Sequence, residues 1–180
     1  MATPTLPIDL AKWISDNPDK LQPPVNNYCM WNADLVVMVV GGPNARTDYH
    51  VNPTAEWFYQ YKGDMLLKLV HAKTFTTLPI RQGEMFLLPP GTPHNPVRFA
   101  NTIGIVIEQR RPQGKLDALQ WYCEKCSHIV YRESFHCVSL GTQLKPVIEK
   151  WANDSTIRQC KTCGHVNPVK EPLSPVVPKL

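Results

Sequence analysis

The chain has no long apolar run: its most apolar stretch, LVVMVVGG from Leu35 to Gly42, is too short to span a bilayer. The opening MATPTLPIDL lacks a basic region followed by a long apolar core, so a soluble, cytoplasmic protein without a membrane anchor is expected. Basic clusters are missing too. The 19 Lys and Arg residues are scattered and the formal net charge is only +4, which argues against nucleic acid as a partner. Such a mild positive excess suits an anionic small substrate without identifying one. Charged residues make up only 19% against 43% hydrophobic, so nothing forces disorder, and 180 residues can bury a core.

Proline, by contrast, is abundant: 18 residues argue for loops and short strands over long helices, and a mainly β protein is expected. Asp9 is placed to cap a short helix with Leu10, Trp13 and Ile14 on one face. From Leu35 to Glu108 short apolar runs follow one another (LVVMVV, EWFYQY, MLLKLV, EMFLL, IGIVIE), separated by Gly, Pro, Asn and Asp, as in an antiparallel sandwich or barrel. The polar RRPQGKL, Arg110 to Leu116, suggests a boundary between a region 1–110 and a smaller unit 111–180. That unit holds a helical stretch with Leu144, Val147, Ile148 and Trp151 on one face, and a tail with Pro168, Pro172, Pro175 and Pro178 expected to run extended over the surface.

Six cysteines in a chain without a signal peptide read as metal binding rather than as a disulfide scaffold. Cys123 and Cys126, with Cys160 and Cys163, form two CxxC pairs that can offer a tetrahedral S4 site; with four protein ligands no position stays open, so the metal there, Fe or Zn, is expected to be structural. Ser127 stands where such a turn often has Gly. Cys29 and Cys137 are left over.

In DYHVNPTAEWFYQYKG, residues 48–63, His50 and Glu56 are poor choices for a plain core, yet as an isolated pair they read as a satisfied core histidine and a solvated carboxylate. His94, after the turn in GEMFLLPPGTPHNPVR, is the third candidate. Two imidazoles and one carboxylate leave coordination positions open, an arrangement typical of non-haem Fe(II) centres that use dioxygen; Zn(II) could take the same ligands.

These stretches resemble the two motifs of the cupin superfamily. Gly42, Asp48, His50, Glu56 and Gly63 match the first; Gly83, Pro89, Gly91, His94 and Arg98 match the second. Asp48 replaces the first His of the usual His-x-His, the gap to Glu56 is longer than usual, and Arg98 stands where Asn is usual, so a four-ligand centre is reduced to three. With Arg46, Glu108 and the CxxC pairs added, the chain resembles the 3-hydroxyanthranilate 3,4-dioxygenase family in its microbial and fungal form. The resemblance implies a double-stranded β-helix (jelly-roll barrel) with a short N-terminal helix and a small C-terminal metal-binding subdomain. It implies catalytic Fe(II) on His50, Glu56 and His94, O2 as co-substrate, and opening of the 3-hydroxyanthranilate ring to 2-amino-3-carboxymuconate semialdehyde, the precursor of quinolinate in NAD biosynthesis from tryptophan.

It further implies that Glu108 and Glu56 lie against the substrate, with Glu108 taking a proton. Arg98 offers a planar fork to the substrate carboxylate, Arg46 contacts that carboxylate or the oxygen, and Asn26 adds a hydrogen bond. A homodimer is also implied. Another metal-dependent cupin enzyme, an isomerase or a quercetinase-like enzyme, could share the triad, and a zinc-ribbon interaction module on a cupin scaffold is the non-enzymatic alternative. The paired arginines favour an anionic aromatic acid, and the lack of a basic cluster counts against the module.

Overall fold

The computed structural model describes residues 6–23, 26–44 and 46–170. The tail prolines Pro172, Pro175 and Pro178 lie outside these residues. Asp9 caps α1 (Leu10–Asp16) by accepting from the Lys12 amide at 3.0 Å, as its sequence position suggests. A 3-10 turn, Pro18–Leu21, leads into the strands.

Eleven strands follow among the described residues: β1 (Asn27–Asn32), β2 (Leu35–Gly41), β3 (Tyr49–Val51), β4 (Glu56–Lys62), β5 (Met65–His71), β6 (Thr74–Ile80), β7 (Met85–Leu88), β8 (His94–Arg98), β9 (Ile103–Gln109), β10 (Asp117–Tyr122) and β11 (Ile129–Phe135). They form a five-stranded sheet in the order β1-β2-β9-β4-β7 and a six-stranded sheet in the order β11-β10-β3-β8-β5-β6. The five apolar runs seen in the sequence are β2, β4, β5, β7 and β9, and the pairings are antiparallel. Met38, Phe58, Leu88 and Val106 from the first sheet pack against Met65, Leu67 and Ile80 from the second, so the two sheets close on one core as in the cupin double-stranded β-helix.

Period-two alternation sets what enters that core. On β4, Glu56, Phe58 and Gln60 are buried while Trp57 and Tyr59 turn to the other face, against α1 and Leu21. Two of the inward residues are polar, so the interior is built to hold chemistry as well as apolar contacts.

The segment from Arg110 to Leu116 is followed by β10, which rejoins the six-stranded sheet by pairing with β3. Helix α2 (Leu140–Asn153) then packs Val147 and Trp151 onto Leu119 and Trp121, the two indoles stacked with centroids 4.6 Å apart. Leu119 is the register partner of His50. The helix therefore covers the β10 end of the face that carries His50. Among the described residues no helix is long and apolar enough to cross a membrane.

Gly104, the second residue of β9, is required by a close approach: a Cβ there would lie 2.4 Å from Arg98 Nη1 and 2.5 Å from Gln60 Oε1. Gly104→Ala is therefore expected to push these two side chains apart and to lower stability by about 1–3 kcal/mol, read by denaturant unfolding. An unchanged midpoint would mean that the interior has room the packing denies.

Candidate metal centre

Strand register brings the three candidate ligands together. His50 on β3 is paired with His94 on β8, and Glu56 opens β4 from the opposite sheet. One ligand atom from each can be chosen so that all lie within 4.8 Å of one another, and all three residues are buried. Glu56 Oε1 is 3.5 Å from His50 Nδ1 and its Oε2 is 3.3 Å from His94 Nε2, so one carboxylate lies between two imidazoles.

The other nitrogen of each ring is engaged elsewhere. His94 Nδ1 lies 3.0 Å from the Thr92 carbonyl, which can only accept, so Nδ1 carries a proton and Nε2 is the nitrogen that faces Glu56 and is available to a metal. His50 Nε2 lies 2.7 Å from Asp117 Oδ2. Burial works against the Glu56 charge, yet His94, His50 and Asn52 hold its carboxyl down to about 2. Burial pushes both imidazoles down and prevails at His50; at His94 the charge and hydrogen bonding of Glu56, with the Thr92 carbonyl and the Glu108 charge, together overcome it and raise the ring. Two aimed nitrogens and an ionised carboxylate in a buried pocket fit a divalent metal.

Glu108 on β9 is the register partner of Glu56 and is itself buried. Asn52 Nδ2 donates to both carboxylates, at 2.9 Å to Glu56 and 3.3 Å to Glu108. Its orientation is fixed because Asn52 Oδ1 accepts from the backbone and hydroxyl of Thr54. Burial first, and then the Glu56 charge, raise Glu108 to about 8, although its ion pair with Arg111 opposes the shift. A cavity of about 400 Å³ opens beside Glu108 and Arg111, with Asn27, Met38 and the two unassigned cysteines, Cys29 and Cys137, in its wall. Burial pushes the Cys137 thiol up to about 12, so it stays a thiol.

The remaining sequence candidates are each engaged with another partner. Arg46 is paired with Asp48, its Nε donating to Oδ1 at 3.0 Å, so the residue at the usual cupin histidine position serves as the partner of an arginine. Arg98 follows His94 by four residues and is buried, with Nη1 donating to Gln60 Oε1 at 2.8 Å. Burial lowers it to about 10. Asn26 donates to the Pro43 carbonyl at 3.0 Å. Sequence reasoning missed Asn52, Arg111 and Asp117. A carboxylate on the face of DALQWY that carries Leu119 and Trp121 is the available signal for Asp117.

The four cysteines of the CxxC pairs also converge, with one sulfur from each within 4.8 Å of the others. Cys123 and Cys163 sulfurs are 3.5 Å apart, as are those of Cys126 and Cys160. A tetrahedral site with metal–sulfur bonds of about 2.3 Å needs sulfurs separated by about 3.8 Å, so the group fits an S4 metal. The turns are equivalent: Cys123 N donates to His128 O and Ser127 N to Cys123 O, while Cys160 N donates to His165 O and Gly164 N to Cys160 O. The backbone amides of Cys163 and Thr162 favour the Cys160 thiolate.

Comparison with known proteins places the chain among close relatives. The family profile described as 3-hydroxyanthranilic acid dioxygenase matches residues 1–152. A Podospora anserina protein named 3-hydroxyanthranilate 3,4-dioxygenase is 58% identical over 165 residues, covering 90% of this chain and 89% of its own length. Proteins of the same name from Neurospora crassa and Mycosarcoma maydis are 57% and 54% identical, covering 88% and 92% of this chain and 88% and 96% of their own lengths.

Ser127 takes the same left-handed conformation as its counterpart Gly164, with φ of 62° against 74°. A side chain costs roughly 1–2 kcal/mol in that region, so Ser127→Gly is expected to stabilise the metal-loaded protein by up to about that amount in thermal unfolding. A lower melting temperature would show that the serine side chain contributes something the turn geometry does not reveal.

Proposed function

This chain belongs to the 3-hydroxyanthranilic acid dioxygenase family, and from that premise we propose that it opens the ring of 3-hydroxyanthranilate with O2. The product is 2-amino-3-carboxymuconate semialdehyde, which closes to quinolinate on the route from tryptophan to NAD. Both oxygen atoms enter one product, so no outside electron donor is needed. The observation that carries the reading is the Glu56 carboxylate lying between His50 Nδ1 and His94 Nε2 with Glu108 beside it.

His50, Glu56 and His94 hold the catalytic metal, which we take to be Fe(II). When bound, Fe(II) supplies open coordination positions and the redox capacity to let ring electrons reach dioxygen, whereas Zn(II) on the same ligands would supply Lewis acidity alone. Glu108 is the group placed to take a proton from the substrate hydroxyl and release it again: burial and the Glu56 charge raise its carboxyl towards a phenol's basicity, while its ion pair with Arg111 favours the ionised form that can accept. Its place next to Glu56 in register sets it at the edge of the ligand group.

The substrate carboxylate calls for a cation. Arg98 is bonded to a neutral amide, so its charge is available to an anion within the barrel. Arg46 already shares its charge with Asp48 and is partly exposed, which suits a residue at the mouth. Asn26 is the weakest of the candidates, since its amide supports the Pro43 carbonyl.

Region 1–110 carries the triad in this reading, and region 111–180 carries a structural Fe or Zn on Cys123, Cys126, Cys160 and Cys163. The protein works as a cytoplasmic homodimer; exposed Met85 and Leu87 on the edge strand β7 support self-association.

The test is anaerobic loading with Fe(II), then 3-hydroxyanthranilate and air, with ring-opened product followed by absorbance. Iron-dependent product is expected, and its absence would overturn the reading. His50→Ala, Glu56→Ala and His94→Ala should each lose the catalytic iron while metal analysis still finds the cysteine-bound metal; stoichiometric iron in any variant would remove that residue from the ligand set. Glu108→Ala should keep the iron and lose on the order of 10²-fold or more in kcat. Near-normal kcat and KM would take proton transfer away from Glu108.

A further inference from the structure

We propose that Arg111 and Asp117 are positioning residues for this reaction: Asp117 dictates which nitrogen of His50 faces Glu56, and Arg111 locks Asp117 and Glu108 into one frame. The inference rests on the reading of His50, Glu56 and His94 as the catalytic metal ligands.

Asp117 is fully buried at the first position of β10. Its Oδ1 accepts from Arg111 Nε at 2.8 Å, and its Oδ2 accepts from Arg111 Nη2 at 2.6 Å while lying 2.7 Å from His50 Nε2. A guanidinium has donors only, so both oxygens act as acceptors and the nitrogen that meets Oδ2 is the protonated one. The lone pair of His50 is thereby left on Nδ1, the atom facing Glu56. His94 gets the same service from a backbone carbonyl; His50 has Asp117 instead.

The third contact of Arg111 is with Glu108, through Nη1. One planar cation thus holds two buried carboxylates, one behind a candidate ligand and one beside the substrate. It also supplies the positive charge that two neighbouring carboxylates, Glu56 and Glu108, need in order to share the interior. The hydrogen bonds form a chain that runs from His50 through Asp117, Arg111, Glu108 and Asn52 to Glu56, whose Oε1 ends 3.5 Å from His50 Nδ1. A lysine at 111 would keep the charge and lose the fork.

Asp117→Asn is nearly isosteric and changes the logic of the contact. With its one acceptor on Arg111 Nε, its amide NH2 takes the place of Oδ2, loses the bond from Arg111 Nη2 and donates to His50 Nε2, driving the ring proton to Nδ1, where it blocks the ligand lone pair. Nitrogen-15 NMR of the protein with the cysteine site filled and the triad metal-free is expected to show His50 protonated on Nε2 in the wild type and on Nδ1 in the variant. Fe(II) affinity, from competition with a chelator, should fall on the order of 10- to 100-fold in Asp117→Asn while the cysteine-bound metal stays. Arg111→Lys should lower kcat about tenfold or more with KM little changed.

Wild-type His50 protonated on Nδ1, or Asp117→Asn with undiminished Fe(II) affinity, would overturn the role of Asp117; the first of these needs no variant that folds. Wild-type kcat in Arg111→Lys would overturn the role of Arg111. An inactive wild type would overturn the proposed function, but the tautomer and affinity measurements use no substrate and would still decide the role of Asp117.

Discussion

A carboxylate enclosed in a protein interior must be met by positive charge, hydrogen-bond donors or a metal, because the low dielectric makes an unpaired charge untenable. Glu56 is such a group, almost fully buried between two imidazoles and an amide. Much of the surrounding architecture follows from that need. His50 and His94 are set opposite one another in the six-stranded sheet, Glu56 reaches them from the five-stranded sheet, and the sandwich has to close for the three to meet. Adding Glu108 beside Glu56 brings a second buried carboxylate, and Arg111 is the countercharge that accompanies it.

The interior is layered along the strands. Glu56 and His94 form one polar level, Phe58 lies in the apolar core beyond them, and Gln60 with Arg98 forms a second polar level joined by a hydrogen bond. Gly104 then gives the guanidinium its space. Stability and chemistry therefore compete for the same positions, which is why the middle of a β-sandwich carries Gln, Arg and Glu where apolar residues would be the simpler choice.

Residues whose role is written in local spacing are legible in the sequence alone. His50, Glu56 and His94 fall at fixed offsets on three strands, the last just after a turn, and the CxxC pairs announce themselves. The capping by Asp9 and the face of α2 follow from helical periodicity in the same way. Edge strands are harder to read. β6, TFTTLPI, and β11, IVYRESF, are largely exposed on one or both sides and so carry little apolar alternation.

Arg111 and Asp117 are hidden for a different reason. Each sits in or beside a polar stretch that looks like a linker, and the partner of Asp117 is His50, 67 residues away. No local pattern encodes such a contact; only the return of β10 to the sheet beside β3 creates it. Arg98 shows the converse. Its position next to the second motif is plain, while its bond to Gln60 depends on which rotamer the packed interior selects.

The most direct measurement is an anomalous difference map, recorded at the iron edge from crystals grown without oxygen in the presence of Fe(II). A peak bounded by His50 Nδ1, the Glu56 carboxylate and His94 Nε2, with Asp117 still on His50 Nε2, is expected. Iron found only at the four cysteines, or iron met by His50 through Nε2 with Asp117 displaced, would contradict the arrangement on which the rest depends.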